Sequence, residues 1–220
     1  MKEKENIKEE IRHEFLLERI ILFSDAVFAI VITLMAIEIR IPELHDKISP
    51  DLLEDRLLHL VPVIIAYTAS FAFIGVSWYH HLKIFSLVKN YDKGLIVRNL
   101  FLLFFIGLFP FGVSLVAQPG NGVMLPAIIY FIIILCCRIS QMVMHSYVLY
   151  HPGIRLNIDI KDEILRFKKN RVVLILLFVM FVLVIGTTIL VPNPDYKPVA
   201  WWWFFLFPFL LSFFKKRIAK

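Results

Sequence analysis

The chain carries almost nothing that enzyme chemistry would need. Its 220 residues contain no Gly-x-Ser-x-Gly elbow and no glycine-rich phosphate loop, which excludes the familiar serine-hydrolase and P-loop arrangements. None of the seven histidines has a second histidine four residues away, so the simplest helical zinc site is missing, and adjacent His80 and His81 must diverge. Asp55 and His59 do have that spacing, and they read as a solvated interfacial pair. Cysteine is limited to Cys136 and Cys137, neighbours in an apolar run. Their side chains leave a helix about 100° apart, so a disulfide between them would be strained and they read as small packing residues. No basic patch interleaved with aromatics occurs, and nucleic acid is not expected as a partner. There is also no low-complexity segment, no internal repeat and no loop long enough to fold alone. Neither an enzyme activity nor a cofactor is expected.

What is present is apolar. Hydrophobic residues make up 59% of the chain, with 21 phenylalanines and a mean hydropathy of +0.75, more than a single soluble core of this length holds. The composition predicts an all-α integral membrane protein. A helix needs roughly 17–25 mostly apolar residues to cross the hydrocarbon, and six such runs are expected near 16–39, 61–84, 97–117, 123–148, 171–191 and 198–214. Together they form one domain over 1–220, and residues 1–15 form a charged helical extension.

Lysine and arginine number five before and at the start of the first span, four between the second and third, six between the fourth and fifth, and four at the C-terminus. The remaining connections hold only Arg40, Lys47, Arg56 and Lys197. The positive-inside rule therefore predicts both termini in the cytoplasm of a multi-pass cell-membrane protein. Trp201 to Trp203 then fall at the outer interface of the last span. A signal peptide is not expected, because the first apolar stretch is too long, is interrupted by polar residues and lacks a small-x-small cleavage site.

That first span carries a carboxylate, Asp25, which costs roughly 2.5–3.5 kcal/mol at a helix centre even on lenient insertion scales. At 100° per residue, Phe23, Ile30 and Ile37 lie within about 40° of one another, Thr33 and Leu34 flank them, and Asp25 points about 140° away from Ile30. An Ile and Leu stripe in a membrane helix reads by itself as packing or lipid contact. Asp25 reads as a structural carboxylate that pins helices together. Arg19 lies about 120° from it and is poorly placed as a partner. The candidates are His80 and His81 at the inner end of the second span, Asn99, and Arg138 in the fourth. Arg138 shares with Asp25 a depth on the order of 15 Å, and Arg138, Gln141 and His145 form a polar stripe on one helix face.

The string Arg19-x-x-x-Phe23-Ser24-Asp25-Ala26, together with Trp78-Tyr-His80-His81 at the end of the second span, resembles the potassium channels related to the endolysosomal channel transmembrane protein 175. Six spans with both termini inside match the single-repeat prokaryotic type. The resemblance implies a homotetramer with a central pore lined by the first helix of each subunit. It implies a constriction at Ile30, with Thr33, Leu34 and Ile37 as further pore-facing layers and potassium as the permeating ion. It also implies an interhelical polar network of Arg19, Phe23, Ser24, Asp25, Trp78, His80 and His81, for which Arg138 is the candidate answering cation. Tyr79 stands where the family often has Asn, and Arg138 has no place in the family pattern.

A Thr-Val-Gly-Tyr-Gly filter is absent from the chain. Selectivity would then come from the helix-lined pore, with Thr33 hydroxyls or loosened carbonyls replacing ion-bound water and Ile30 closing the path by dewetting. Two other readings stay open: a proton-coupled secondary transporter using Asp25 and His80 or His81, and a membrane scaffold without transport. Transporters usually show repeated halves with broken helices at corresponding positions, whereas Pro110-Phe-Gly112 and Pro208 lack obvious mates.

Overall fold

The computed structural model describes residues 2–39, 50–117, 124–151, 153–154 and 160–190. These form α1 (Lys2–Ile37), α2 (Pro50–Phe85), α3 (Lys93–Gly107), α4 (Phe109–Ala117), α5 (Met124–Tyr150) and α6 (Lys161–Leu190), and no strand occurs among them. Five stretches are long and apolar enough to cross a membrane: Glu14–Ile37, Val63–Phe85, Lys93–Leu115, Leu125–Tyr150 and Lys161–Thr187. The sixth expected span, 198–214, with Trp201 to Trp203, lies outside the described residues, as do the side chains of Asp55 and His59.

Helix ends follow local chemistry. α2 opens at Pro50, whose missing N–H and fixed φ suit a first helical position. α3 and α4 form one span broken at Leu108 (φ −83°, ψ −7°). Pro110 has no N–H to return to Ile106, and the ladder resumes with the Gly112 N–H donating to the Leu108 carbonyl at 3.0 Å. Gly112 lets α4 approach α5 closely, since a Cβ there would sit 2.7 Å from Cδ2 of Tyr130.

The helix that carries the fifth expected span, 171–191, begins ten residues earlier, at Lys161, because the charged stretch before the apolar run is already helical. Asp162 and Glu163 in the first turn favour the positive helix end, and Arg166 bonds Glu163 at 2.6 Å one turn on.

α5 packs against α3, α4 and α6, while α1 packs against α2, α3 and α4. Phe28, Ile74, Leu102, Ile106, Phe109 and Met144 fill the core between them. Cys137 is buried and Cys136 half-buried, and both are free thiols.

At one end of the bundle the loops are tied together: the Lys89 and Asn90 N–H groups both donate to the Ile154 carbonyl, at 2.7 and 3.1 Å. Asp92 caps α3 there, accepting from the Leu95 N–H at 2.7 Å and from the Tyr147 hydroxyl at 2.6 Å. The Arg98 guanidinium lies 3.7 Å from the centroid of the Tyr147 ring. Burial pushes the Asp92 carboxyl up, but the Tyr147 hydroxyl, the Leu95 N–H, His151 and the Gly94 N–H outweigh it and hold it below its ordinary value.

Candidate functional site

The two faces of α1 are differently employed. Ser24, Phe28, Val31 and Met35 recur at helical spacing and are buried in the bundle. The opposite face carries Phe23, Ile30, Thr33, Leu34 and Ile37, all exposed in the single chain, with Ile30 at 55% and Ile37 at 63%. Other helices also expose large apolar residues, such as Phe101 and Phe104 of α3, as lipid-facing helices do. The α1 face differs in composition. Thr33 interrupts it, and exposed Ala26, Ala29 and Ala36 run along its flank. The Thr33 hydroxyl donates within its own helix, to the Ile30 carbonyl at 2.8 Å and the Ala29 carbonyl at 3.3 Å. Its lone pairs therefore face outward as acceptors, the polarity a cation needs.

The buried face is anchored by a directed chain of hydrogen bonds. The Asn99 amide nitrogen of α3 donates to Ser24 Oγ at 2.8 Å, and Ser24 in turn donates to the Ile20 carbonyl at 2.9 Å. Asn99 Oδ1 lies 2.9 Å from His81 Nε2 of α2, and as a carbonyl it can only accept, which fixes the His81 proton on Nε2. The order is His81 to Asn99 to Ser24 to the α1 backbone. His81 and Ser24 are fully buried, and the imidazole packs 4.5 Å from Phe85 and 5.5 Å from Phe28, measured between ring centroids. Three helices are thereby locked at one depth by neutral groups.

Asp25 stands beside this chain, not in it. Its Oδ1 accepts from the Trp78 indole N–H at 2.8 Å. None of the four candidate partners, His80, His81, Asn99 and Arg138, bonds it. The reason is rotational. On α2 the buried line runs through Ser70, Ile74, Ser77, His81 and Ile84, and at 100° per residue Trp78 and His80 fall on opposite flanks of it, about 160° apart. α1 lies on the Trp78 flank. Arg138 shares a cavity with His80 on the other flank, where its Nη1 donates to Gln141 Oε1 at 3.1 Å and its guanidinium sits 5.8 Å from the Phe73 ring. Gln141 passes the connection on to the Ser77 carbonyl at 2.7 Å. The matched depths of Asp25 and Arg138 are thus separated by the width of α2.

Arg19 is exposed on the same side of α1 as Phe23, its guanidinium 6.0 Å from the Phe15 ring. The single network expected from sequence is therefore three: Ser24–Asn99–His81, Asp25–Trp78, and Arg138–Gln141–Ser77. Trp78 as the carboxylate's donor was legible in one respect, since an indole N–H at a helix interface is an obligatory donor in need of an acceptor. Among the described residues no three His, Cys, Asp or Glu side chains converge as metal ligands.

Residues 19–110 match the sequence profile of a family described as the endosomal/lysosomal potassium channel TMEM175. That region contains α1 from Arg19, all of α2 and the α3–α4 break, and so the Ser24, Asp25, Trp78, His81 and Asn99 cluster. A protein of Chamaesiphon minutus named as a potassium channel is 42% identical over 100 residues, covering 46% of this chain and 49% of that protein. A chicken (Gallus gallus) protein named as the endosomal/lysosomal proton channel TMEM175 is 30% identical over 162 residues, covering 72% of this chain and 31% of that protein. The chain spans about half the length of the curated bacterial relatives it matches. The crystal structure of a lysosomal potassium-selective channel TMEM175 homolog from Chamaesiphon minutus superimposes with a TM-score of 0.66 at 29% identity, over 93% of this chain and 98% of that one.

Proposed function

We propose that this chain, which belongs to the TMEM175 family, is a potassium channel that conducts through a central pore lined by α1 in a homotetramer. The observation that carries the reading is the two-faced character of α1. One face is buried and locked by hydrogen bonds, and the opposite one, with Ile30, Thr33, Leu34 and Ile37, is left exposed by the described helices. Four such faces around an axis give a narrow apolar ring at Ile30, followed by a layer of outward-facing Thr33 oxygens that replace part of a potassium ion's water. Ala26, Ala29 and Ala36 lie about 30°, 90° and 110° round the helix from the Ile30–Ile37 line, on the flank where a neighbouring copy in a fourfold ring approaches, and small residues permit that approach. The excess of Lys and Arg in the connections at the α1 N-terminal end supports cytoplasmic termini in a multi-pass cell-membrane protein.

Vertebrate relatives named as proton channels make protons the second candidate cargo. Asp25 and His81 would then have to release and rebind protons, yet both are held by neutral partners, Trp78 and Asn99. That arrangement suits fixed structure better than a relay.

Reversal potentials of purified protein in planar bilayers, under potassium, sodium and proton gradients, test the reading. Ile30→Asn is expected to wet the ring, raise potassium current and weaken discrimination against sodium. Thr33→Val is expected to keep the width and lower selectivity. Well-assembled Ile30→Asn protein with unchanged current and selectivity would place the pore on another face.

A further inference from the structure

Where α2, α5 and α6 meet, at the end of the bundle closed by the Ile154 loop contacts, there is a cavity of about 190 Å³. Lys83, Arg138, Arg166 and Lys169 line it against a single carboxylate, Glu163. That carboxylate is taken by Arg166 at 2.6 Å. No carboxylate among the described residues lies within ion-pair distance of Lys83, Arg138 or Lys169. Arg138 is recessed within a membrane span, where among the described residues its guanidinium meets an amide carbonyl and an aromatic ring but no carboxylate, a cost that an anion would offset. His145 adds a second, independent sign. It is 7% exposed, lines the cavity, and its buried Nε2 has no hydrogen-bond partner, with Glu163 Oε2 at 4.0 Å. A donor-rich pocket holding one orphaned ring nitrogen is incomplete without an acceptor.

The apolar surroundings say what carries that acceptor. A second cavity of about 320 Å³ runs along α5 past Ile139, Val143 and Phe167, and it shares Met142 and Leu174 with the first. A cationic chamber beside an apolar groove, at the edge of the spanning region, has the form of a headgroup site with room for the start of an acyl chain. We propose that it binds the phosphate of an anionic membrane lipid, with Lys83, Arg138, Lys169 and His145 Nε2 around the phosphate and the chain against Met142 and Leu174. The site lies on the His80 flank of α2, opposite the α1 face, and would couple to the channel through α2 or through α5 by way of α3 and α4.

Native mass spectrometry of the purified protein, titrated with dioctanoyl phosphatidylglycerol, dioctanoyl phosphatidylcholine or inorganic phosphate, tests the proposal without recording current, so its outcome does not depend on the channel reading. Both lipids carry the phosphodiester, but the choline adds a cation beside Lys83, Arg138, Arg166 and Lys169, so phosphatidylglycerol is expected to bind at least about tenfold more tightly than phosphatidylcholine. The double variant Lys83→Gln/Lys169→Gln removes two partly exposed cations and leaves the core intact, and it should bring the two lipids to within about twofold. Lys93→Gln, an exposed cation at the same end but outside the cavity, should keep the preference. Equal binding of both lipids by the unaltered protein, an undiminished preference in the double variant, or an equal loss in Lys93→Gln would each overturn the site. Inorganic phosphate binding as tightly as phosphatidylglycerol would overturn the lipid as its source.

Discussion

Asn99→Leu is the most informative single change, because Asn99 is the middle member of the chain that fixes α1. The substitution keeps the branched four-atom shape of the side chain and removes two interhelical hydrogen bonds, to Ser24 at 2.8 Å and to His81 at 2.9 Å. Interhelical bonds inside membranes average roughly 0.6 kcal/mol, which sets a floor of about 1 kcal/mol for the pair. The fully buried His81 Nε2–H is then orphaned, at about 1–3 kcal/mol. Ser24 loses little, because its own proton still goes to the Ile20 carbonyl. The expected loss is thus about 2–4 kcal/mol. His81→Phe retains the aromatic packing on Phe28 and Phe85 and strands only the Asn99 carbonyl, at about 1–2 kcal/mol. In the double variant neither partner is left unmatched, so its loss should fall short of the sum by about 1 kcal/mol or more. Equilibrium unfolding in mixed micelles, followed by helical circular dichroism with sodium dodecyl sulfate as denaturant, measures the cycle. Additivity within about 0.3–0.5 kcal/mol, or an Asn99→Leu protein of unaltered stability, would refute the chain.

Trp78→Phe and Asp25→Ala should each reduce the assembled species in size-exclusion profiles, and combining them should cost little more than either alone, since each deletes one partner of the same hydrogen bond. Arg138→Met with Asp25→Asn should by contrast be additive, because α2 separates the two; a coupling above about 1 kcal/mol in the same unfolding assay would mean that they interact. Asp92→Asn should cost about 1 kcal/mol or less at neutral pH through the weakened cap on α3. The Asp92 carboxyl is held below its unfolded value of roughly 3.9, so its contribution is present above that pH and fades as pH falls through the lower folded value. The gap in melting temperature between wild type and Asp92→Asn should therefore shrink between pH 5 and about pH 3, and a constant gap would contradict it.

Apolar run length made the helical class and five of the expected spans legible, because bilayer thickness sets a minimum that little else in a protein demands. Charged residues at membrane edges were harder to read. The segment from Lys161 looks like loop by composition, yet its acidic first turn and Glu163–Arg166 spacing are those of a helix start. The ladder on α1 and the direction of Asp25 followed from 100° periodicity alone and agree with the burial of Ser24, Phe28, Val31 and Met35. The partners of Asp25 did not. Depth can be counted from a helix end, but the azimuth of one helix relative to another cannot. Asp25 and Arg138 share a depth and sit on opposite flanks of α2.

The division of α2 into a Trp78 flank and a His80 flank also bears on what each polar residue is for. Adjacent His80 and His81 look like a pair in sequence, and the 100° between them sends one to the Asn99 chain and the other to the cationic cavity. The neutral chain costs little to bury, since each polar atom in it except His81 Nδ1 has a partner, and it holds α1 at a fixed rotation. That rotation is what the exposed side of α1 requires. A turn of one residue would move the Ile30 line by about 100° and bring Asp25 toward Thr33's side of the helix. Ser24 therefore governs the ion path proposed here without touching it, as a positioning residue for Ile30 two turns away. Ser24→Ala, which keeps the backbone and deletes one acceptor, should accordingly alter conductance more than stability. In bilayer recordings the expected sign is a broadened distribution of conductance levels in protein that still assembles. A single unaltered level would show that packing by Phe28, Val31 and Met35 suffices to set the rotation of the helix.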